Sequence, residues 1–223
     1  MSTSLVYRSA AGYELLMRAL YGRHYATRMR VVAERVRPGA SVLELCPGPG
    51  ALYERHLRAR AGVYTGVDVN DRFVARLRRL GAQALVRDLA ASDQPLPRAD
   101  AVIMQASLYH FLPAAGALVD QMLAAAEELV IIAEPIRNLA SSGLPLVGMI
   151  SKRAANPGAG ADSHALRFDE PGLHRLMAPY EAQTVEAFTI PGGREKVYVL
   201  DPRLPGQAPD APPDRRSAAR IRA

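Results

Sequence analysis

Two short runs carry residue types and spacing suited to holding a nucleoside: Val42-Leu43-Glu44-Leu45-Cys46-Pro47-Gly48-Pro49-Gly50, and Val63-Tyr64-Thr65-Gly66-Val67-Asp68. A strand rich in Val and Leu delivers a glycine turn to the start of a helix, and an acid stands at the end of the next strand. Two oxygens on one carboxylate match the two hydroxyls of a ribose, and the same charge repels a 2′-phosphate. Spacing within the turn narrows the ligand. A nicotinamide dinucleotide site asks for G-x-G-x-x-G, and counted from Gly48 the third position is Tyr53, too bulky for close packing of helix on strand. Pro47 and Pro49 remove two amide donors and leave Gly48, Gly50 and Ala51, which suits a cofactor without a pyrophosphate.

The elements that must position these residues alternate in type. Apolar periodicity predicts strands at 41–46, 63–67, 83–87, 99–104 and 128–133, with helices at 51–60, 70–80 and 114–126 between them. Segments 181–190 and 194–200 read as two strands joined by Pro191-Gly192-Gly193, a hairpin connection. Residues 1–37 read as two helices, the second running from about Arg23 to Val36 and closed by Pro38-Gly39. From Asp201 onward, five prolines among scattered charges predict a disordered tail.

The pattern Glu44-x-Cys46-x-Gly48-x-Gly50 resembles the (Asp/Glu)-x-Gly-x-Gly-x-Gly motif of class I S-adenosylmethionine-dependent methyltransferases, with Cys46 in place of the first glycine. Pro47 is expected to bias Cys46 towards extended backbone. The resemblance covers about 41–200 and implies an α/β, doubly wound, seven-stranded and mostly parallel sheet whose last strand is antiparallel. It implies an N-terminal helical cap over 1–40, a cofactor-binding catalytic domain over 41–200 and a tail over 201–223. Its cofactor is S-adenosylmethionine. Carried over by position, Glu44 anchors the turn or the methionine end, and Leu45, Cys46, Pro47, Gly48 and Gly50 line it. Asp68 takes the ribose hydroxyls with Val69 beside it, Gln105 faces the methionine moiety, and Leu89 lies along the adenine. Asp88 either accepts from the adenine amino group or caps a helix.

Acceptor chemistry is placed after the fourth and fifth strands, at the carboxyl edge where open sheets bind ligands. His110 could take a proton near neutral pH and Tyr109 could orient it, or the pair packs under the next helix. Glu134 and Arg137 either bind an acceptor of both polarities or close the loop as an ion pair. In the resembled family the N-terminal segment shapes the acceptor pocket, which puts Tyr21, His24 and Tyr25 on the acceptor side. Met104-Gln105-Ala106-Ser107 stands where exocyclic-amine methyltransferases carry an Asp/Asn-Pro-Pro-aromatic motif. The single cysteine lies in the cofactor turn, so no nucleophile is placed for methylation at pyrimidine C5.

Composition frames these expectations. At 223 residues and 49% hydrophobic content, the chain can bury one substantial core. One cysteine excludes an internal disulfide framework and fits a reducing, cytoplasmic setting. No run reaches the ~18 apolar residues of a membrane span, and the histidines have no metal-ligand spacing. Arg8, Glu14 and Arg18 interrupt any signal-peptide core, and a lid helix is the reading favoured over a transit peptide. Residues 1–40 hold seven Arg against two Glu. That basic edge either forms solvated helix faces or steers an anionic partner. Methylation of a small-molecule acceptor at oxygen or nitrogen is the leading expectation. The alternatives are an RNA methyltransferase using the Arg-rich helices, and a non-catalytic cofactor-binding or scaffold protein of the same fold.

Overall fold

The computed structural model describes residues 12, 17, 18, 22–136 and 167–206. Helix α1 (Tyr25–Ala33) leads into β1 (Ser41–Leu45), a π-helical turn (Tyr53–Leu57), β2 (Val63–Asp68), α2 (Asp71–Arg79), β3 (Gln83–Val86) and β4 (Ala99–Gln105). A 3-10 helix (Leu108–Phe111), α3 (Ala115–Ala125), β5 (Ala126–Pro135), α4 (Glu170–Met177), β6 (Thr184–Thr189) and β7 (Glu195–Leu200) complete it. The seven strands form one sheet in the order β3-β2-β1-β4-β5-β7-β6. Strands β1 to β5 pair in parallel, and β7 runs antiparallel to both its neighbours, β5 and β6. The doubly wound expectation with an antiparallel last strand is met.

Helices on both faces explain why β1 and β4 are nearly continuous apolar runs. Beneath α1, the π-helical turn and α2, Met29, Val32, Val36 and Leu77 pack on Val42, Ile103, Ile131 and Val197. On the opposite face, α3 and α4 lay Leu118, Val119, Met122 and Leu173 on Leu43, Val102, Ile132 and Leu200. Thus α1 shares its core with the sheet it covers.

Three elements depart from expectation. The helix expected over 51–60 widens, because Glu54 N donates to Gly50 O but Arg58 N donates to Tyr53 O, one residue further apart. Helix α4 was not foreseen, although its signals are ordinary: Asp169 caps it by accepting from Gly172 N, Pro171 sits in its first turn, and Leu173 and Met177 are buried four residues apart. The tail expected from 201 is fastened at its start, where Asp201 N donates to Gln183 O; residues 207–223 lie outside the described part.

The arginines of the N-terminal segment are the larger correction. Arg28 lies on the buried stripe of α1 with Tyr25, Met29 and Val32, and is only 6% exposed. Its guanidinium forks onto both carboxylate oxygens of Glu195 on β7, at 2.8 Å each. Arg35 reaches Glu186 on β6 and covers the Phe188 ring, and Arg37 reaches Glu128 on β5 at 2.8 Å. Three arginines expected on solvated faces therefore strap this segment to β5, β6 and β7. Removing one partner of the buried pair leaves an uncompensated charge, whereas replacing both with apolar side chains is close to neutral. Arg28→Ala is expected to lower stability by about 3–5 kcal/mol, near ~10 °C in Tm, while Arg28→Met with Glu195→Leu restores most of it. Urea unfolding of the two variants checks this, and a loss under ~1 kcal/mol in Arg28→Ala contradicts the buried pairing.

Candidate active site at the carboxyl edge

Strand order reverses between β1 and β4, so the chain leaves their carboxyl ends towards opposite faces and opens a crevice there. The two turns that border it are built alike. Cys46 follows β1 with φ +52° and Ala106 follows β4 with φ +52°. Cys46 N donates to Val67 O at 2.8 Å, and Ala106 N donates to Ala133 O at 2.7 Å. In each case the next residue of the accepting strand is an acid that takes amides of the same turn. Asp68 Oδ2 accepts from Gly48 N at 3.0 Å. Glu134 Oε1 accepts from Ser107 N at 2.7 Å and Leu108 N at 2.8 Å.

Cys46 is thus left-handed, not extended. The turn closed by Val67 and Asp68 overrides the preference imposed by Pro47, and a non-glycine residue there costs about 1–2 kcal/mol. The glycine of the resembled motif avoids that cost. Gly50 has no substitute: at φ +81°, a Cβ would lie 2.5 Å from Leu77 Cδ2 of α2. The amides are also less free than the sequence suggests, since Gly48 N is held by Asp68 and Gly50 N by Pro47 O. Arg76 of α2 donates to Pro49 O at 2.5 Å and to Glu54 at 2.8 Å, fixing the turn from its other side.

Buried carboxylates gather around this turn. Asp68 is 6% exposed, and burial pushes its pKa up to about 6 against the pull of the Asn70, Gly48 and Val69 amides. Glu44, 3% exposed, is pushed up to about 7 by burial, opposed by the Tyr64 hydroxyl that donates to it at 2.6 Å and by nearby Arg28. Burial and then the surrounding carboxylates Asp68, Glu134 and Glu44 push the Cys46 thiol up, so it stays protonated. Leu45 is wholly buried, Pro47 is half-buried, and Val69 stands exposed at the edge. Asp88 is exposed, and its Oδ1 accepts from Ala90 N at 2.9 Å in a turn with no helix after it, beside a hollow lined by Asp93 and Gln94. Leu89 packs against the second core, and Gln105 donates to Arg28 O at 3.4 Å.

Of the residues expected on the acceptor side, Tyr109 and His110 are half-buried in the 3-10 helix with ring centroids 4.0 Å apart. The Arg167 guanidinium lies over the Tyr109 ring, 3.9 Å from its centroid. His24 sits against Gly192 of the β6–β7 turn. Tyr25 is buried in the core, with the Arg55 guanidinium 5.6 Å from its ring centroid. Glu134 is 0% exposed and binds the loop backbone. Tyr21 and Arg137 lie outside the described residues.

No protein-family model and no curated protein matches the sequence. Solved structures do match the fold. Magnesium protoporphyrin IX methyltransferase (ChlM) from Synechocystis PCC 6803, with bound SAH, is 16% identical with a TM-score of 0.57 over 87% of this chain and 96% of that one. The chain has the class I methyltransferase fold. N-methyltransferase NodS from Bradyrhizobium japonicum WM9 gives 12% identity and a TM-score of 0.56 over 81% and 96% of the two chains. The Haloferax volcanii complex of the Trm112 methyltransferase activator with its methyltransferase gives 13%, 0.63, 94% and 100%.

Within this methyltransferase fold, sequence reasoning missed Arg28, Tyr64, Glu195, Arg76 and Arg167. Only Arg28 carried a usable signal, as a cation on the apolar stripe of a helix. Among the described residues no helix is long and apolar enough to cross a membrane, and no three His, Cys, Asp or Glu side chains are grouped to hold a metal ion.

Burial pushes Glu134 up to about 8, although three backbone amides favour its charge, and its Oε2 has no hydrogen-bond partner among the described residues. From the ordinary carboxyl range up to about 8 the folded chain therefore holds a proton that the unfolded chain has released, and stability falls as pH rises through that window. Glu44 and Asp68 add the same sign up to about 7 and about 6. Glu134→Gln is expected to flatten the fall above pH 7, read from urea unfolding between pH 5 and 9. An unchanged slope in this variant contradicts the assignment.

Proposed function

We propose that this chain is an S-adenosylmethionine-dependent methyltransferase that methylates a small-molecule acceptor at oxygen or nitrogen. The observation that carries the reading is Asp68: a buried carboxylate at the end of β2, bonded across to Gly48 of the glycine turn, at the crevice where the strand order reverses. Its Oδ2 accepts from Gly48 N and its Oδ1 from Asn70 N, with the Val69 amide also favouring its charge, and two carboxylate oxygens of about four lone-pair sites keep capacity for the ribose hydroxyls. The residues present fit the cofactor: the turn 46–50 lines the methionine end with Glu44 beneath it, Val69 and Leu89 offer apolar contact for the adenine, and Gln105 closes the methionine side. A ligand of this kind bound to ChlM supports the reading.

When bound, S-adenosylmethionine supplies an electrophilic methyl carbon on a sulfonium. The chain aligns the acceptor for in-line attack and excludes water, a contribution worth up to ~7–11 kcal/mol where geometry is optimal. His110 accepts the proton that leaves the acceptor O–H or N–H, and Tyr109, its ring tilted 43° against the imidazole, holds it in place. The RNA reading is less well supported, since Arg28, Arg35 and Arg37 are spent on Glu195, Glu186 and Glu128 of the same chain. The scaffold reading also weakens, because the turn closes with Cys46 in the position of the motif's glycine.

Calorimetric titration tests the proposal. S-adenosylmethionine and S-adenosylhomocysteine are expected to bind in the micromolar range, and Asp68→Asn, which keeps the side chain's size, to weaken both by at least ~10-fold. His110→Ala should leave those affinities unchanged while lowering kcat by ~10²-fold or more on any acceptor that must lose a proton. Folded wild-type protein that binds neither ligand overturns the assignment.

A further inference from the structure

We infer that the acceptor carries an anionic oxyacid group, a carboxylate or a phosphate, and that the Arg167 guanidinium binds it. The inference rests on the methyltransferase reading and names the substrate class of that same site. Arg167 reaches the carboxyl edge of the sheet by covering Tyr109, which follows β4, with its central carbon 3.9 Å from the ring centroid. Stacking uses the π face of the aromatic and leaves the N–H donors around the guanidinium perimeter available. None of them meets a carboxylate among the described residues.

Among the described residues, the acids that follow it in sequence and the one that pins the Tyr109 loop are committed elsewhere. Asp169 Oδ1 accepts from Gly172 N at 2.7 Å as the cap of α4. Glu170 pairs with Lys196 at 3.3 Å. Glu134 is buried and holds the Ser107 and Leu108 amides. This separates Arg167 from Arg28, Arg35, Arg37, Arg76 and Arg98, each of which has an acid of this chain as its partner. A positive charge that meets no carboxylate among the described residues, beside Tyr109 and His110, attracts an anion to the place where the proton-accepting imidazole stands.

The position is also held rigidly. Phe168, the next residue, is buried in the core that contains Leu108 and Met104, and the loop that carries Tyr109 is pinned by Glu134. A planar fork stacked on an aromatic face, on a backbone anchored by the buried Phe168, is preorganised for two parallel N–H···O bonds to one oxyacid group. The acceptor's anionic end is then anchored, and its nucleophilic oxygen or nitrogen is presented towards His110. A charged anchor of this type favours a compact acceptor over a neutral one of equal size.

The test is titration of the full chain, saturated with S-adenosylhomocysteine, with benzoate, phenyl phosphate, neutral benzamide and a 12-nucleotide single-stranded RNA. Benzoate or phenyl phosphate is expected to bind at least ~10-fold more tightly than benzamide, and the tighter of the two identifies the oxyacid. Arg167→Ala should weaken that probe by about 10- to 100-fold and leave S-adenosylhomocysteine affinity unchanged, and Arg167→Lys should restore part of the loss. Equal binding of benzamide, or anion binding unaffected in Arg167→Ala, overturns the inference while the cofactor site stands. RNA binding that exceeds that of the small anions and falls steeply with salt overturns it in favour of a polymeric acceptor. Loss of S-adenosylhomocysteine binding in the wild type removes the methyltransferase reading itself.

Discussion

The carboxyl edge of this sheet depends on one repeated interaction, a buried carboxylate at the end of one strand that takes the backbone amides leaving its neighbour. Asp68 at the end of β2 holds Gly48 after β1, and Glu134 at the end of β5 holds Ser107 and Leu108 after β4. Both turns begin with a non-glycine residue at φ +52° whose own amide donates to the strand residue just before the acid. The left-handed residue turns the chain out of the sheet, and the carboxylate supplies acceptors that the crevice would otherwise deny to buried amides. Burial raises the pKa values of these acids against the pull of the amides they hold, so the burial that shapes the crevice also makes the fold sensitive to pH around neutrality.

Around that edge the chain uses its arginines as fasteners. Arg28 ties α1 to β7 through Glu195, Arg76 ties α2 to the glycine turn, and Arg35 and Arg37 tie the segment after α1 to β6 and β5. A sequence rich in arginine is in this part electrostatically inward-looking. Three of the seven arginines in residues 1–40, Arg28, Arg35 and Arg37, are used to hold α1 and the segment after it over the sheet. Arg167 lies instead over the Tyr109 ring after β4 and meets no carboxylate among the described residues.

Much of the fold was legible because it rests on local rules. Val/Leu runs of strand length, glycine turns after them and the Asn70-Asp71 to Arg79 polarity of α2 are local, and the strands expected at 41–46, 63–67 and 99–104 fall within a residue of those observed. Asp68 was legible for the same reason, as an acid at a strand end with fixed spacing from a turn. What escaped depends on distant partners. The conformation of Cys46 is decided by Val67 and Asp68, not by Pro47 beside it. Arg28 looks like a surface cation until Glu195, 167 residues away, is brought beneath it. The stacking of Arg167 on Tyr109 joins segments 58 residues apart in numbering and leaves no periodic trace. Glu134 was legible as an acid at a strand end, but its direction, inward to the Ser107 and Leu108 amides, was not.

The crevice between β1 and β4, with Asp68 at its border, is the proposed site of S-adenosylmethionine. A crystal structure of the chain soaked with S-adenosylhomocysteine addresses it directly. Density is expected with the ribose diol on the Asp68 carboxylate, the Gly48–Asp68 bond retained, the thioether over the turn 46–50 and the adenine beside Val69 and Leu89. Density bound elsewhere, or a crevice empty of ligand with Asp68 still turned onto Gly48 and Asn70, contradicts it.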